Sequence, residues 1–409
     1  MRGLLIILIL TFGGVLTLIF LSKEKNKPSE IVNTPITFTA QPATPTQNSE
    51  NEATKPIPPQ YNFLNLEKLG EKCLKLFKKG HFSELIQNID NDRCDSALLS
   101  ENERLLVKAM TASAMDDKVQ EAQILLTLLN KNDLEQEIVN NKEKILCHFV
   151  DIAQGSIKYE EIKKIIFSSS NLDCISKKTI VEAGDYFYNN EKFEEARRLY
   201  SKVYFLLEKG EQKEVYKKLT QINNKMIFSA TIYSDSFTYT VVKGDILMKI
   251  GKKFSINPEL IKKINKLKSD LIYPGQNLKI LKVDKDRKFH ILVKKDDLKL
   301  YLLWGEDLIR EYPISIGNPD ESPTPSGQFR ITSRLPFPTW KGIPYGDPAN
   351  ILGTRWLGFN EPHSNYGIHG TTQPDTIGKK TTNGCIRMHN SDIEELYDFV
   401  TEGVEVVIK

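Results

Sequence analysis

A multidomain chain is predicted: an N-terminal transmembrane helix, an all-α region of helical hairpins, a small βααβ module and a mostly-β C-terminal domain. Three features support that order. An uncharged apolar run, Leu4–Leu21, opens the chain. Proline is absent from 61 to 257, and apolar residues there recur at spacings of three and four, which is helical periodicity. From Tyr239 onward apolar residues alternate in short runs cut by Gly, Pro and Asp, which is mostly strand-and-turn chemistry. A chain of 409 residues is sized for about two to four domains.

Apolar residues make up 40% and charged residues 27%, and net charge is +3, ordinary values for globular protein. Lysines are spread along the sequence without a basic block, so no nucleic-acid partner is expected. The first apolar run is 18 residues long, enough for a spanning helix. No small-x-small cleavage pattern lies near Ser22, and no Cys follows for lipid attachment. Residues 1–21 are therefore expected to anchor the chain in the cytoplasmic membrane, with a cleaved signal segment as the alternative. Lys23, Lys25 and Lys27 outweigh Arg2, a charge balance that by itself favours the opposite topology to the one the downstream domains require. Residues 22–60 carry seven prolines among Thr, Ser, Asn, Glu and Gln and are expected to be a linker, about 100 Å long if extended.

Residues 61–230 are predicted helical. Gly184, Phe187, Ala196 and Tyr200 resemble one tetratricopeptide unit, in which a small residue lets antiparallel helices close on an aromatic ring. Irregular hairpins acting as a spacer are the alternative, and a protein partner for this region is left open. Cys73, Cys94, Cys147 and Cys174 lie here, whereas Cys385 stands alone. At least one disulfide is expected among the first four, with Cys385 free.

Residues 238–282 read as strand, helix, helix, strand. Asp245 is a candidate cap for a helix carrying Leu247, Ile250 and Phe254. Asn257-Pro258 is a second helix start, and Pro274-Gly275 is a turn. The runs Tyr239–Leu247, Asn257-Pro258, Ile264-Asn265 and Ile272–Leu278 resemble a LysM module. That resemblance implies binding of N-acetylglucosamine-containing glycan strands through Gly244, Asp245 and Ile246 in one loop and Tyr273 and Pro274 in the other.

Residues 288–409 begin with three strand-like runs, continue through a Pro- and Gly-rich middle and end in a helix and a strand. A sandwich or barrel with large loops is expected, with Ser391 and Glu394 as a capping box for the helix. Ile368-His369-Gly370-Thr371 precedes Thr382-Asn383-Gly384-Cys385-Ile386-Arg387. A nucleophilic Cys needs a base to take its proton and backbone N–H groups to receive an oxyanion. Cys385, His369 and the tight turn allowed by Gly384 supply those parts. These motifs, with Pro323–Phe329 and Leu352–Phe359, resemble the YkuD-type L,D-transpeptidase catalytic domain. The resemblance implies that Cys385 attacks a peptidoglycan stem tetrapeptide, with terminal D-alanine leaving. His369, oriented by the Gly370 carbonyl, would act as base. The acyl group would pass to the side-chain amine of a neighbouring stem, giving a 3-3 cross-link. Arg387, Asn383 and Thr382 would meet or order the substrate. Neither metal nor cofactor is required, and the cell envelope is the expected location.

The family usually carries His where this chain has Asn383. An amide cannot titrate near neutral pH, so the role of base falls on His369. Hydrolysis of the same bond by an L,D-carboxypeptidase and a non-catalytic peptidoglycan-binding adaptor are the alternatives. A zinc site built from Cys385, His363, His369 and His389 has irregular spacing.

Overall fold

The computed structural model describes residues 8–12, 15–19, 57–94, 99–153, 155–168 and 175–409. The chain divides into two units, Met1–Glu52 and Ala53–Lys409. In the first, Leu8–Phe12 and Val15–Ile19 pair as antiparallel strands. This differs from the expected transmembrane helix: among the described residues no helix is long and apolar enough to cross a membrane. The rest of Leu4–Leu21 lies outside the described residues. Gly13-Gly14 separates two runs of Ile, Leu, Val and Thr, a sequence with hairpin chemistry as well as helical hydropathy. Residues 20–56, most of the expected linker, also lie outside the described residues. The last linker positions belong to the folded unit. Pro59–Tyr61 forms a short 3-10 turn, and buried Tyr61 donates a 2.7 Å hydrogen bond to the Glu121 carboxylate.

The helical region runs from Gly70–Lys78 through Lys177–Asn189 and Phe193–Tyr204 to Lys209–Phe228. Ser100 and Glu103 form a capping box, and Asp117 and Ser176 cap the helices that follow them. Gly184 lies beneath Tyr200, where a Cβ would come within 2.5 Å of the ring. That pair is the small-aromatic packing expected from the sequence. Among the described residues, helix lengths in this region range from 9 to 20 residues, more varied than one fixed-length unit repeated throughout.

Cys73 and Cys94 form a disulfide across a separation of 21 residues, and Cys147 is disulfide-bonded as well. Cys174 lies outside the described residues. Closing a loop of this length removes about 3 kcal/mol of unfolded-state entropy. Cys94→Ser is therefore expected to lower the denaturation midpoint of the helical region. A midpoint equal to that of the parent in the absence of reductant would show that this bridge does not stabilise the chain.

In the βααβ module, Ser236–Thr240 pairs antiparallel with Asn277–Leu281. Helices Leu247–Phe254 and Pro258–Ile264 lie between them in sequence, the second capped by Asn257. Asp245 does not cap the first helix. Its carboxylate accepts from the Val242 N–H and the Tyr239 hydroxyl instead, because Ile246 occupies the cap position with extended backbone.

The C-terminal sheet has eight strands in the order Ile386–Arg387, Gly367–His369, Arg355–Phe359, Gly327–Pro336, Glu405–Ile408, Phe289–Lys294, Lys299–Trp304, Asp307–Pro313. A bridge from Ser315, just past the last strand, to Arg387 on the first curls the sheet back on itself. Helix Asn390–Phe399 starts two residues before the expected Asp392. His389 is at its cap position with no side-chain cap, so the Ser391–Glu394 capping box does not form; Ser391 bonds Asp392 instead.

The three folded regions interlock. Strand Asp307–Pro313 is covered by helix side chains that bond its backbone. The Leu308 N–H donates to Ser201, Asn223 donates to the Leu308 and Ile309 carbonyls, and Tyr216 bonds both backbone groups of Glu311. Arg197, fully buried, pairs with Asp235 and Asp307 at 2.9 and 3.1 Å. The buried Lys279 ammonium donates to the carbonyls of Met226, Ser229 and Thr231 and so terminates the helix Lys209–Phe228. Its three donors meet three acceptors, although burial lowers its pKa. Asn257 donates to the Tyr397 and Val400 carbonyls at the end of helix Asn390–Phe399.

Candidate active site

Parallel strands Gly367–His369 and Ile386–Arg387 place Ile368 opposite Ile386 and His369 opposite Arg387. Continuing that register sets Cys385 beside Gly367. Side chains alternate between faces along a strand, so Cys385, Arg387 and His369 project from one face. Ideal strand spacing puts the Cα atoms of Cys385 and His369 roughly 8 Å apart, a distance two inward-leaning side chains can bridge. The Trp356 indole stacks on His369 with centroids 6.0 Å apart and lies where a Gly367 side chain would be, 2.9 Å from its notional Cβ.

His369 is buried, and its Nδ1 lies 2.7 Å from the Gly370 carbonyl. A carbonyl only accepts, so Nδ1 carries the hydrogen and Nε2 keeps its lone pair. Burial lowers the His369 pKa to about 4, with the Gly370 carbonyl opposing the shift and the Arg387 charge adding to it. Burial also pushes the Cys385 thiol upward, against a backbone hydrogen bond from Gly367. Half-buried Cys385 is a free thiol 3.9 Å from the Asn365 carbonyl. The resting pair is a neutral thiol and a neutral imidazole.

Gly384 has φ +95°, and a Cβ there would lie 2.4 Å from the Tyr366 ring. Both the turn and the close approach demand glycine. Thr382, expected at the substrate, is buried, and its hydroxyl donates to the Cys385 carbonyl at 2.6 Å. Its hydroxyl closes the turn that carries the sulfur. Arg387 is also buried; it donates to Thr376 at 2.8 Å and Gln373 at 3.4 Å, anchoring the loop between the two motifs. Asn383 is exposed.

Asn390 was missed by sequence reasoning. Its side-chain oxygen accepts from the Thr371 and Thr354 N–H groups, and its amide donates to the Thr371 carbonyl. A Cβ on Gly353 or Gly370 would come within 2.2 or 2.1 Å of that oxygen. The two glycines flanking motif positions were the available signal. Asn390 thus fastens the His369-Gly370-Thr371 segment to the final helix. On the far side of this hub a cavity of about 620 Å³ opens between Tyr345–Pro348, Thr371, Thr372 and His389–Ser391; neither Cys385 nor His369 lines it. Among the described residues no group of three or more His, Cys, Asp or Glu could hold a metal ion.

In the βααβ module the two expected binding loops lie side by side. The Val241 N–H donates to the Gln276 carbonyl, and the Gly275 N–H donates to the Val241 carbonyl. Gly244, Asp245 and Ile246 lie on one loop, Tyr273 and Pro274 on the other. Ile246 and Tyr273 are exposed, together with Val242, Met248 and Leu271, which the motif alone did not single out.

Residues 288–408 match the YkuD family, described as an L,D-transpeptidase catalytic domain, and residues 239–281 match the LysM domain. YkuD of Bacillus subtilis (strain 168), named as an L,D-transpeptidase, is 34% identical over 173 residues, 42% of this chain and 98% of that protein. YqjB of the same organism, named likewise, is 35% identical over 124 residues, 29% of this chain and 70% of that protein. Among solved structures, the catalytic domain from E. faecium L,D-transpeptidase is 26% identical with a TM-score of 0.26, covering 31% of this chain and 100% of that one.

Proposed function

Because the chain belongs to the YkuD-type L,D-transpeptidase family, we propose that it cross-links peptidoglycan with Cys385 as nucleophile and His369 as base. The observation that supports this reading is the register of adjacent parallel strands, which sets His369 opposite Arg387, two residues on from the free thiol Cys385. Nδ1 is tied to the Gly370 carbonyl, which leaves Nε2 to accept a proton.

In acylation, the Cys385 proton passes to His369 Nε2 and the sulfur attacks the carbonyl of the third residue of a stem tetrapeptide. Backbone N–H groups of the Gly384-Cys385 turn receive the oxyanion. The intermediate collapses, the bond to D-alanine breaks, and the leaving amine takes the proton from the imidazolium. A thioester remains. The side-chain amine of a second stem then attacks it, giving its proton to His369, and the thiol is restored as the amide forms. Arg387 and Thr382 hold the loops around the sulfur, and Asn383 contributes a hydrogen-bond donor at the rim. The LysM module holds the glycan strand through Gly244–Ile246 and Tyr273-Pro274, which keeps substrate at high local concentration. Both matched domains associate the chain with the cell envelope.

Purified enzyme incubated with disaccharide tetrapeptides tests the reading. Mass spectrometry is expected to find free D-alanine and dimers joined through the third residues. Tripeptide products without dimers would replace transfer with hydrolysis, and unchanged substrate would end the catalytic reading.

A further inference from the structure

We infer that the LysM module selects carboxylate-bearing peptidoglycan through four exposed lysines, Lys243, Lys249, Lys252 and Lys253, that flank its two exposed loops. This rests on the glycan-binding reading given above. The lysines that run evenly along the sequence are unequal once domains are drawn. Between Tyr239 and Leu281 there are nine Lys against Asp245, Glu259 and Asp270, an excess of six in a chain whose total is +3. The remainder of the protein is therefore net negative.

Three of the nine are buried or held in salt bridges. Lys279 is buried against carbonyls, Lys262 pairs with Glu259 and Asp270, and Lys263 pairs with Asp398. Four of the other six gather at the loops, all exposed and, among the described residues, in no salt bridge, although the charges of Lys253 and Lys249 help hold the Asp245 carboxyl below its ordinary range. Lys243 lies within the first loop. Lys249 reaches across it to donate to the Gly244 carbonyl at 3.1 Å. Lys253 sits 4.8 Å over the Tyr239 ring, and Lys252 is three residues from Lys249 on the same helix. Asp245, the acid of this loop, turns its carboxylate back onto Val242 N–H and the Tyr239 hydroxyl.

Neutral amino sugars need apolar faces and hydrogen bonds, which Val242, Ile246, Met248, Leu271 and Tyr273 and the loop backbone offer. They do not need four ammonium groups. A polymer of neutral sugars bearing peptides that end in free carboxylates matches both features together. Lysine is a point charge on a flexible stem and imposes no fixed geometry, which suits carboxylates on mobile peptides. Unreacted stem tetrapeptides carry such carboxylates, so the charge would bring the enzyme to stretches of wall where donors remain.

The test uses the full chain with Cys385→Ala, so that stems stay intact, and a second form that adds Lys243→Gln, Lys249→Gln, Lys252→Gln and Lys253→Gln. Binding is measured to native insoluble peptidoglycan, to the same material with its carboxylates amidated, and to neutral chitin. The unsubstituted lysines are expected to favour native over amidated peptidoglycan about fifteenfold, from four exposed contacts worth roughly twofold each, and the preference should vanish at high salt. The Gln form should show no preference while retaining chitin binding. Equal binding of native and amidated material by the lysine form would overturn the inference, as would parallel loss of chitin binding in the Gln form. A lysine form that prefers native peptidoglycan yet ignores chitin would support the charge selection and remove the glycan-loop reading instead.

Discussion

Cys385→Ala is expected to abolish covalent adduct formation while leaving the fold in place. Intact-protein mass spectrometry with a stem tetrapeptide or a carbapenem should show the mass shift of a thioester in the parent and none in the variant. Removing a catalytic nucleophile costs on the order of a millionfold in turnover. The substitution removes a half-buried sulfur that joins no disulfide, so the packing around it loses little. A surviving adduct in the Ala variant would move the nucleophile to another side chain and end the assignment.

His369→Asn is expected to lose a hundred- to ten-thousand-fold in acylation rate, the usual worth of a general base, whereas Asn383→His should stay near the parent. His369 is buried with Nδ1 held by a carbonyl, while Asn383 is exposed. The pH profile separates this from a structural effect. Burial lowers His369 to about 4, below the ordinary value near 6.5. The imidazole is then neutral and able to accept a proton at every pH above about 4. Acylation should persist through pH 5 to 6 and fall only as pH drops through about 4. The raised thiol pKa acts at the other end. The sulfur stays protonated at neutral pH, so the reaction depends on transfer to the imidazole and not on a standing thiolate. Single-turnover acylation across pH 3.5 to 9 is the measurement. An acid limb near 6.5, or an Asn variant that acylates at the parent rate, would remove His369 from the mechanism.

The parts of the fold governed by local chemistry were legible in the sequence. Proline-free periodicity located the helices, Asn257-Pro258 marked a helix start, and Gly384 before Cys385 marked a tight turn. Contacts between residues far apart in the chain were not legible. Asn390 looks like an ordinary first-turn residue until Gly353 and Gly370 are brought against it. Asp245 and Ser391 had the right chemistry for caps, but both bond to nearer partners, Asp245 to Val242 and Tyr239 and Ser391 to Asp392. At Leu4–Leu21 hydropathy favours a helix, whereas the two β-prone runs either side of Gly13-Gly14 pair as antiparallel strands. Nothing local in Thr382 revealed that its hydroxyl closes a turn and does not face a ligand.

The helix side chains that bond strand Asp307–Pro313 have a consequence for biosynthesis. An unpaired strand edge is a template for association with other chains, and partly folded intermediates are most exposed to it. Here the cover is synthesised before the edge. Ser201, Tyr216 and Asn223 leave the ribosome about a hundred residues ahead of the backbone groups they bond. The helices can therefore wait as a folded template when the strand emerges, and this edge of the sheet is guarded from the moment it is made.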